Sequence, residues 1–83
     1  MRYDHFHAVV KYENGEHEEI EGGLTNSFHD KMDAFREQFR SAPDQDHKDL
    51  IYKEQWNYLT SMVGNWLEEP DKKFELVSFR MAG

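Results

Sequence analysis

Hydrophobic positions along this chain change period from one stretch to the next, and the changes mark its elements. The first stretch, about Tyr3 to Glu21, reads as a β-hairpin. Phe6-His7-Ala8-Val9-Val10-Lys11-Tyr12 is rich in β-formers, and Asn14-Gly15 follows. That dipeptide favours a two-residue type I′ turn. A tight turn sets Tyr12 opposite His17, Val10 opposite Glu19 and Val9 opposite Ile20. Val9 and Ile20 then share a face with His7, Lys11 and Glu18. Phe6, Ala8, Val10 and Tyr12 face Glu19 and Glu21. Both faces come out mixed, and a bulge would reassign them. The expectation is that Phe6, Ala8 and Val10 point inwards.

Gly22-Gly23 is read as the end of the hairpin, and Asn26 or Ser27 as the N-cap of a helix over about 26–41. Phe28, Met32, Phe35 and Phe39 recur at helical spacing and form one narrow stripe. Arg36 and Arg40 suit the negative end of this helix, and Pro43 breaks it. Asp44 or Asp46 caps a second helix over about 45–67. Asp44–Lys48 and Asp49–Lys53 stand at i,i+4 with the acid first. Its apolar residues, from Ile51, Tyr52 and Trp56 to Trp66 and Leu67, fill an arc of roughly 180°, wider than one buried stripe requires. Leu59, Met62 and Trp66 are placed in the core and Trp56 partly outside it. Gly64 lies within this helix, where the close approach of another backbone would account for it.

Glu68-Glu69-Pro70-Asp71 reads as a stop and a turn before a last strand over about 73–81. There Val77, Phe79 and Met81 alternate on one face, with Phe74 and Leu76 on the other. The order β-β-α-α-β predicts a single α+β domain over residues 1–83. A three-stranded, mostly antiparallel sheet carries two helices on one face, and the last strand lies beside the first.

Charge changes the picture. From Tyr12 to Asp30 there is no Lys or Arg, but there are six acids: Glu13, Glu16, Glu18, Glu19, Glu21 and Asp30. With 17 acids and 10 bases in the chain, the remainder holds 17 − 6 = 11 acids against 10 bases. The formal charge of −7 is therefore local to the hairpin and its exit. A concentrated negative field attracts basic surfaces and repels phosphate backbones, so direct binding to nucleic acid or anionic membranes is disfavoured. The plain alternative is a solvated strand whose carboxylates stop a sheet edge from pairing with other chains. Two or three charges would serve that purpose, and five glutamates within nine residues repel one another.

Candidate chemistry is sparse. The absence of Cys rules out disulfides and thiolate chemistry and fits a reducing cytoplasm. No apolar run approaches the ~20 residues of a membrane span, and Met1-Arg2-Tyr3-Asp4-His5 lacks the apolar stretch of a signal peptide. No G-x-S-x-G, P-loop, G-x-G-x-x-G or H-E-x-x-H motif occurs. The glutamates read as too exposed for tuned acid–base work, so no enzyme, catalytic residue or cofactor is expected. His5 and His7 alternate on one strand face and would suit a shared metal with a third ligand. His17 falls on the other face under the tight-turn register, so no metal site is expected. Small size, acidity and lack of motifs form a compositional likeness to accessory proteins of bacteria, phages and mobile elements, including inhibitors of host nucleases.

The expected function is a non-enzymatic interaction protein that blocks or modulates a basic, nucleic-acid-binding protein partner. Glu13, Glu16, Glu18, Glu19 and Glu21 would steer the encounter, and Tyr52 and Trp56 would anchor it. The alternative is a homo-oligomer, a homodimer for instance, joined through the aromatic face of the second helix, with the hairpin charge conferring only solubility.

Overall fold

In the computed structural model the described residues are 3–67, 69 and 71–83. Met1 and Arg2, and Glu68 and Pro70 of the expected turn, lie outside them. The elements run β1 (His5–Tyr12), β2 (His17–Gly23), α1 (Asn26–Ser41), α2 (Gln45–Gly64) and β3 (Phe74–Ala82). One antiparallel sheet has the order β2-β1-β3, so the last strand does pair beside the first. The architecture is α+β, as the hydrophobic pattern predicts.

Two one-residue shifts sort the mixed strand faces. The first is at the hairpin turn. Tyr12 N–H donates to the Glu16 carbonyl at 2.8 Å, and Gly15 N–H to the Tyr12 carbonyl at 3.0 Å. The loop is thus Glu13-Asn14-Gly15, one residue longer than a type I′ turn, and Gly15 takes φ 89°. A three-residue hairpin loop needs a left-handed residue at this point, and glycine adopts it without a steric penalty. The register becomes Ala8↔Ile20 and Val10↔Glu18, not Val9↔Ile20 and Val10↔Glu19. Because side chains alternate, the slip turns β2 over. Ile20 now faces the core with Phe6, Ala8 and Val10.

The second shift is a bulge in β3. Val9 pairs with Ser78 but Val10 with Leu76, leaving Val77 unpaired between them. The extra residue brings Phe74 and Leu76 round to the face of Phe79 and Met81. This corrects the simple alternation expected for the last strand. Val77 is 49% exposed, while Leu76 is buried.

The resulting apolar face is covered by the helices. Phe6, Ala8, Val10, Ile20 and Leu76 form one core with Phe28 of α1, Leu59 and Val63 of α2, and Leu67 beyond it. Among the described residues no polar or charged residue is buried. Phe28 reaches across to Phe79, with ring centroids 6.0 Å apart. The outer halves of the helices pack on each other, Phe39 meeting Tyr52 edge-on at 4.8 Å.

Helix starts are capped by side chains. Thr25, one residue before the expected Asn26 or Ser27, accepts the Phe28 N–H at 3.1 Å. Asp44 accepts the His47 N–H at 2.9 Å and starts α2. That role takes Asp44 from Lys48, and Asp49 accepts from the Gln45 side chain rather than pairing with Lys53. α2 ends at Gly64 instead of reaching residue 67. Gly64 faces the ring of Phe74, 3.3 Å from where a Cβ would stand, so a side chain rather than a backbone makes the close approach. Gly22 and Gly23 do end the hairpin, as the last two residues of β2, which runs two residues past the expected Glu21. Trp66 is 50% exposed, at the margin of the core and not within it.

Candidate functional site

β2 is an edge strand, and the longer turn decides how its carboxylates are distributed. Glu16 and Glu18 lie opposite Tyr12 and Val10, on the side of the helices. Glu19 and Glu21 lie opposite Val9 and His7, on the open face of the sheet. All four are exposed, as is Glu13 in the loop. The acidic residues therefore do not form one flat patch. They wrap an edge and present charge to both sides of it.

The two sides differ in their neighbours. On the helix side the Tyr12 hydroxyl donates to the Glu18 carboxylate. That hydrogen bond, then desolvation, then the negative charge of Glu18, Glu69 and Glu16 push the phenol up to about 12. Lys72 sits over the Tyr12 ring, its ammonium 4.2 Å from the centroid. A cleft there is lined by Tyr12, Glu16, His17, Glu18, Glu69 and Lys72, so one cation stands among three carboxylates. On the open face His7 Nε2 comes within 3.9 Å of Glu19. Glu21, directly opposite His7, makes no salt bridge among the described residues and extends the negative rim towards Gly23.

Tyr12 and Lys72 are neighbours of the acidic residues that sequence reasoning missed. Their signal was weak, because Lys72 follows the turn after α2 and meets the hairpin only through the β1–β3 pairing. Lys11, Lys72 and Lys73 also line an open pocket of about 720 Å³ with Tyr12, Glu13 and Phe74. The hairpin tip is thus bordered by bases, and the acidic character is strongest along the β2 edge.

Tyr52 and Trp56 stand apart from that edge. Both project from α2, Tyr52 in its N-terminal half and Trp56 just past its midpoint, 58% and 41% exposed. Tyr52 borders Met81 of β3 in a shallow pocket with Met32, Phe35, Phe39 and Gln55. β3 and β2 flank β1 on opposite sides, so Tyr52 and the β2 carboxylates lie towards opposite margins of the sheet.

The histidines are also reassigned. The observed register puts His17 opposite Lys11, on the same face as His5 and His7 and not on the other. It lies four strand positions from the level of His7, roughly 13 Å at about 3.3 Å per residue, too far to share a metal. His5 Nδ1 instead meets Asp4 at 2.7 Å. Among the described residues no three His, Asp or Glu side chains converge as metal ligands, and no helix is long and apolar enough to cross a membrane.

Compared with models of known protein families, with curated proteins and with solved structures, the chain matches none.

Proposed function

We propose that this protein is a non-enzymatic interaction module that presents its acidic edge strand to a basic surface of a protein partner. A nucleic-acid-binding protein fits best, because a surface built for phosphates attracts an exposed row of carboxylates by the same field. Occupying that surface blocks or modulates the partner. The observation that carries this reading is the placement of Glu18, Glu19 and Glu21 on an edge strand, with Glu16 just before it, so that two carboxylates turn to each face. The proposed setting is the cytoplasm, where a chain without Cys loses nothing to reduction.

The test is capture of partners from source-cell lysate at low salt, followed by a salt gradient and mass spectrometry. One basic nucleic-acid-binding protein should elute at moderate salt, because exposed charge pairs are screened. Replacing Glu16, Glu18, Glu19 and Glu21 with Gln should slow association with that partner. An unchanged association rate would discard the charge-steering reading.

A second reading has its own support. Tyr52 and Trp56 are neighbours one turn apart on α2, and both are substantially exposed. Under that reading the protein is a homo-oligomeric assembly component, and Trp56→Ala dissociates it.

A further inference from the structure

The sheet has a second open edge, on β3, and its chemistry is opposite to that of β2. A β2 strand laid against another β2 would crowd carboxylate on carboxylate, which disfavours pairing. β3, Phe74–Ala82, carries one acid and one base, Glu75 and Arg80, among apolar and small residues. Val77 and Met81 are exposed on it, the latter 39%. Met81 continues into the apolar pocket with Met32, Phe35, Phe39 and Tyr52, so apolar surface runs from the strand onto the helix layer.

β3 is self-complementary across its own bulge. A two-fold pairing matches each residue with one equally far from the strand's midpoint. With the midpoint between Val77 and Ser78, Leu76 meets Phe79, Phe74 meets Met81 and Glu75 meets Arg80. In a regular strand this register sets inward residues against outward ones, since neighbours alternate. Here the bulge at Val77 reverses the alternation at the midpoint. Phe74, Leu76, Phe79 and Met81 all belong to the core face, while Glu75, Ser78 and Arg80 lie on the open one. The three pairs Phe74–Met81, Glu75–Arg80 and Leu76–Phe79 therefore match in face. Centring on Val77 or Ser78 instead sets Leu76 against Ser78 or Arg80.

A bulge alone also blunts an edge against pairing. Blunting does not require opposite charges at equal distances from the bulge. Nor does it require the apolar residues to match in the same register. Glu75 has Lys11 opposite it within the sheet, yet among the described residues no salt bridge engages Glu75 or Arg80.

We propose that two copies of this chain join through β3, antiparallel about a two-fold axis beside Val77 and Ser78. The two sheets become one continuous sheet, and Glu75 of each copy pairs with Arg80 of the other. This leaves both acidic β2 edges at the outer ends, open to partners. It also places the contact between copies on β3 rather than on the Tyr52–Trp56 face of α2.

Charge reversal followed by sedimentation equilibrium tests it. The wild-type chain should show a monomer–dimer equilibrium. Glu75→Arg or Arg80→Glu alone sets like charges together and should weaken the dimer by about tenfold or more. The double variant, Glu75→Arg with Arg80→Glu, should recover it. Circular dichroism and thermal melting of each variant confirm that the fold persists. Because the residues are exposed, folded variants are expected. A wild-type chain monomeric at millimolar concentration overturns the proposal. So do single reversals without effect, or a double variant no tighter than the singles. Trp56→Ala should leave the equilibrium unchanged, and dissociation by that variant moves the contact to α2 and overturns the β3 interface.

Discussion

The indole of Trp66 closes over Gly22. A Cβ at Gly22 would stand 2.7 Å from the indole and 2.6 Å from the ring of Phe6, which Trp66 meets edge-on at 5.9 Å. The missing side chain thus lets a residue beyond α2 cover the outer strand and the central one together. Gly22→Ala should force both rings aside and cost about 1–3 kcal/mol, the usual penalty for overpacking. Chemical denaturation measures it, and Trp66 fluorescence should shift with it. Gly23→Ala, where nothing lies within 4 Å, is the matched control and should cost far less.

The same contact shows what the sequence could and could not reveal. Trp66 lies in phase with Leu59, Met62 and Val63, so helical periodicity places it in the core. The helix ends at Gly64, and Trp66 leaves that phase. Both register shifts leave a mark in the sequence. Ile20 is the one large apolar residue of β2, and only the longer turn brings it to the face of Phe6, Ala8 and Val10. Asn14-Gly15 fits either turn, so tertiary burial decides between them. Likewise, Phe74 and Leu76 against Phe79 and Met81 are two apolar pairs out of step, the mark of one extra residue between them. The acidic stretch was legible from composition. Its division between two faces was not, because that depends on the turn.

Tyr12 gives a pH-dependent test of the hairpin register. Its phenol is raised from the ordinary 10.0 to about 12, first by donating to Glu18. Under the tight-turn register Tyr12 would face His17 instead. A group whose pKa is higher in the folded state contributes stability that is fully present below its unfolded value. That contribution is lost as pH rises through the folded value. Wild-type protein should thus lose stability between about pH 10 and about pH 12. Glu18→Gln should show a smaller loss there, with the Tyr12 ring titrating closer to its ordinary range. Ring chemical shifts followed by NMR across the alkaline range report this. An unchanged Tyr12 titration in Glu18→Gln would show that the carboxylate is not its acceptor.

Asp44 provides the acid counterpart. It caps α2 by accepting the His47 N–H, and this bond, ahead of the contact with the His47 ring, lowers its pKa below the usual 3.8. The sign is the reverse of that for Tyr12. The ionised cap contributes stability above 3.8, and the contribution is lost as pH falls through the lowered value. Asp44→Ala should lower the melting temperature near neutral pH, and Asp44→Asn should lower it less, since Asn also caps. The gap between wild type and Asp44→Asn should narrow in strong acid, where Asp44 is protonated. Melting curves taken from about pH 6 down to about pH 1–2 follow the loss.

The division of α2 into a core end and an outer end predicts unequal costs for truncation. Leu59 is 6% exposed and packs in the central cluster, while Trp56, three residues earlier, is 41% exposed. Leu59→Ala removes buried methyl groups and leaves a cavity, at about 2–5 kcal/mol. Trp56 is the larger side chain, so size alone would rank it first. Exposure reverses the order, and Trp56→Ala should cost less than Leu59→Ala because the partly solvated indole leaves no enclosed cavity behind. At this chain length each kcal/mol corresponds to about 4–8 °C in melting temperature, so the two variants should separate clearly in one scan. Equal losses would mean that the aromatic arc of α2 is used inside the fold along its whole length. That result would leave Trp56 too costly to displace for any partner. A large loss for Leu59→Ala alone would leave Trp56 available for contacts outside the monomer, as the oligomeric alternative requires.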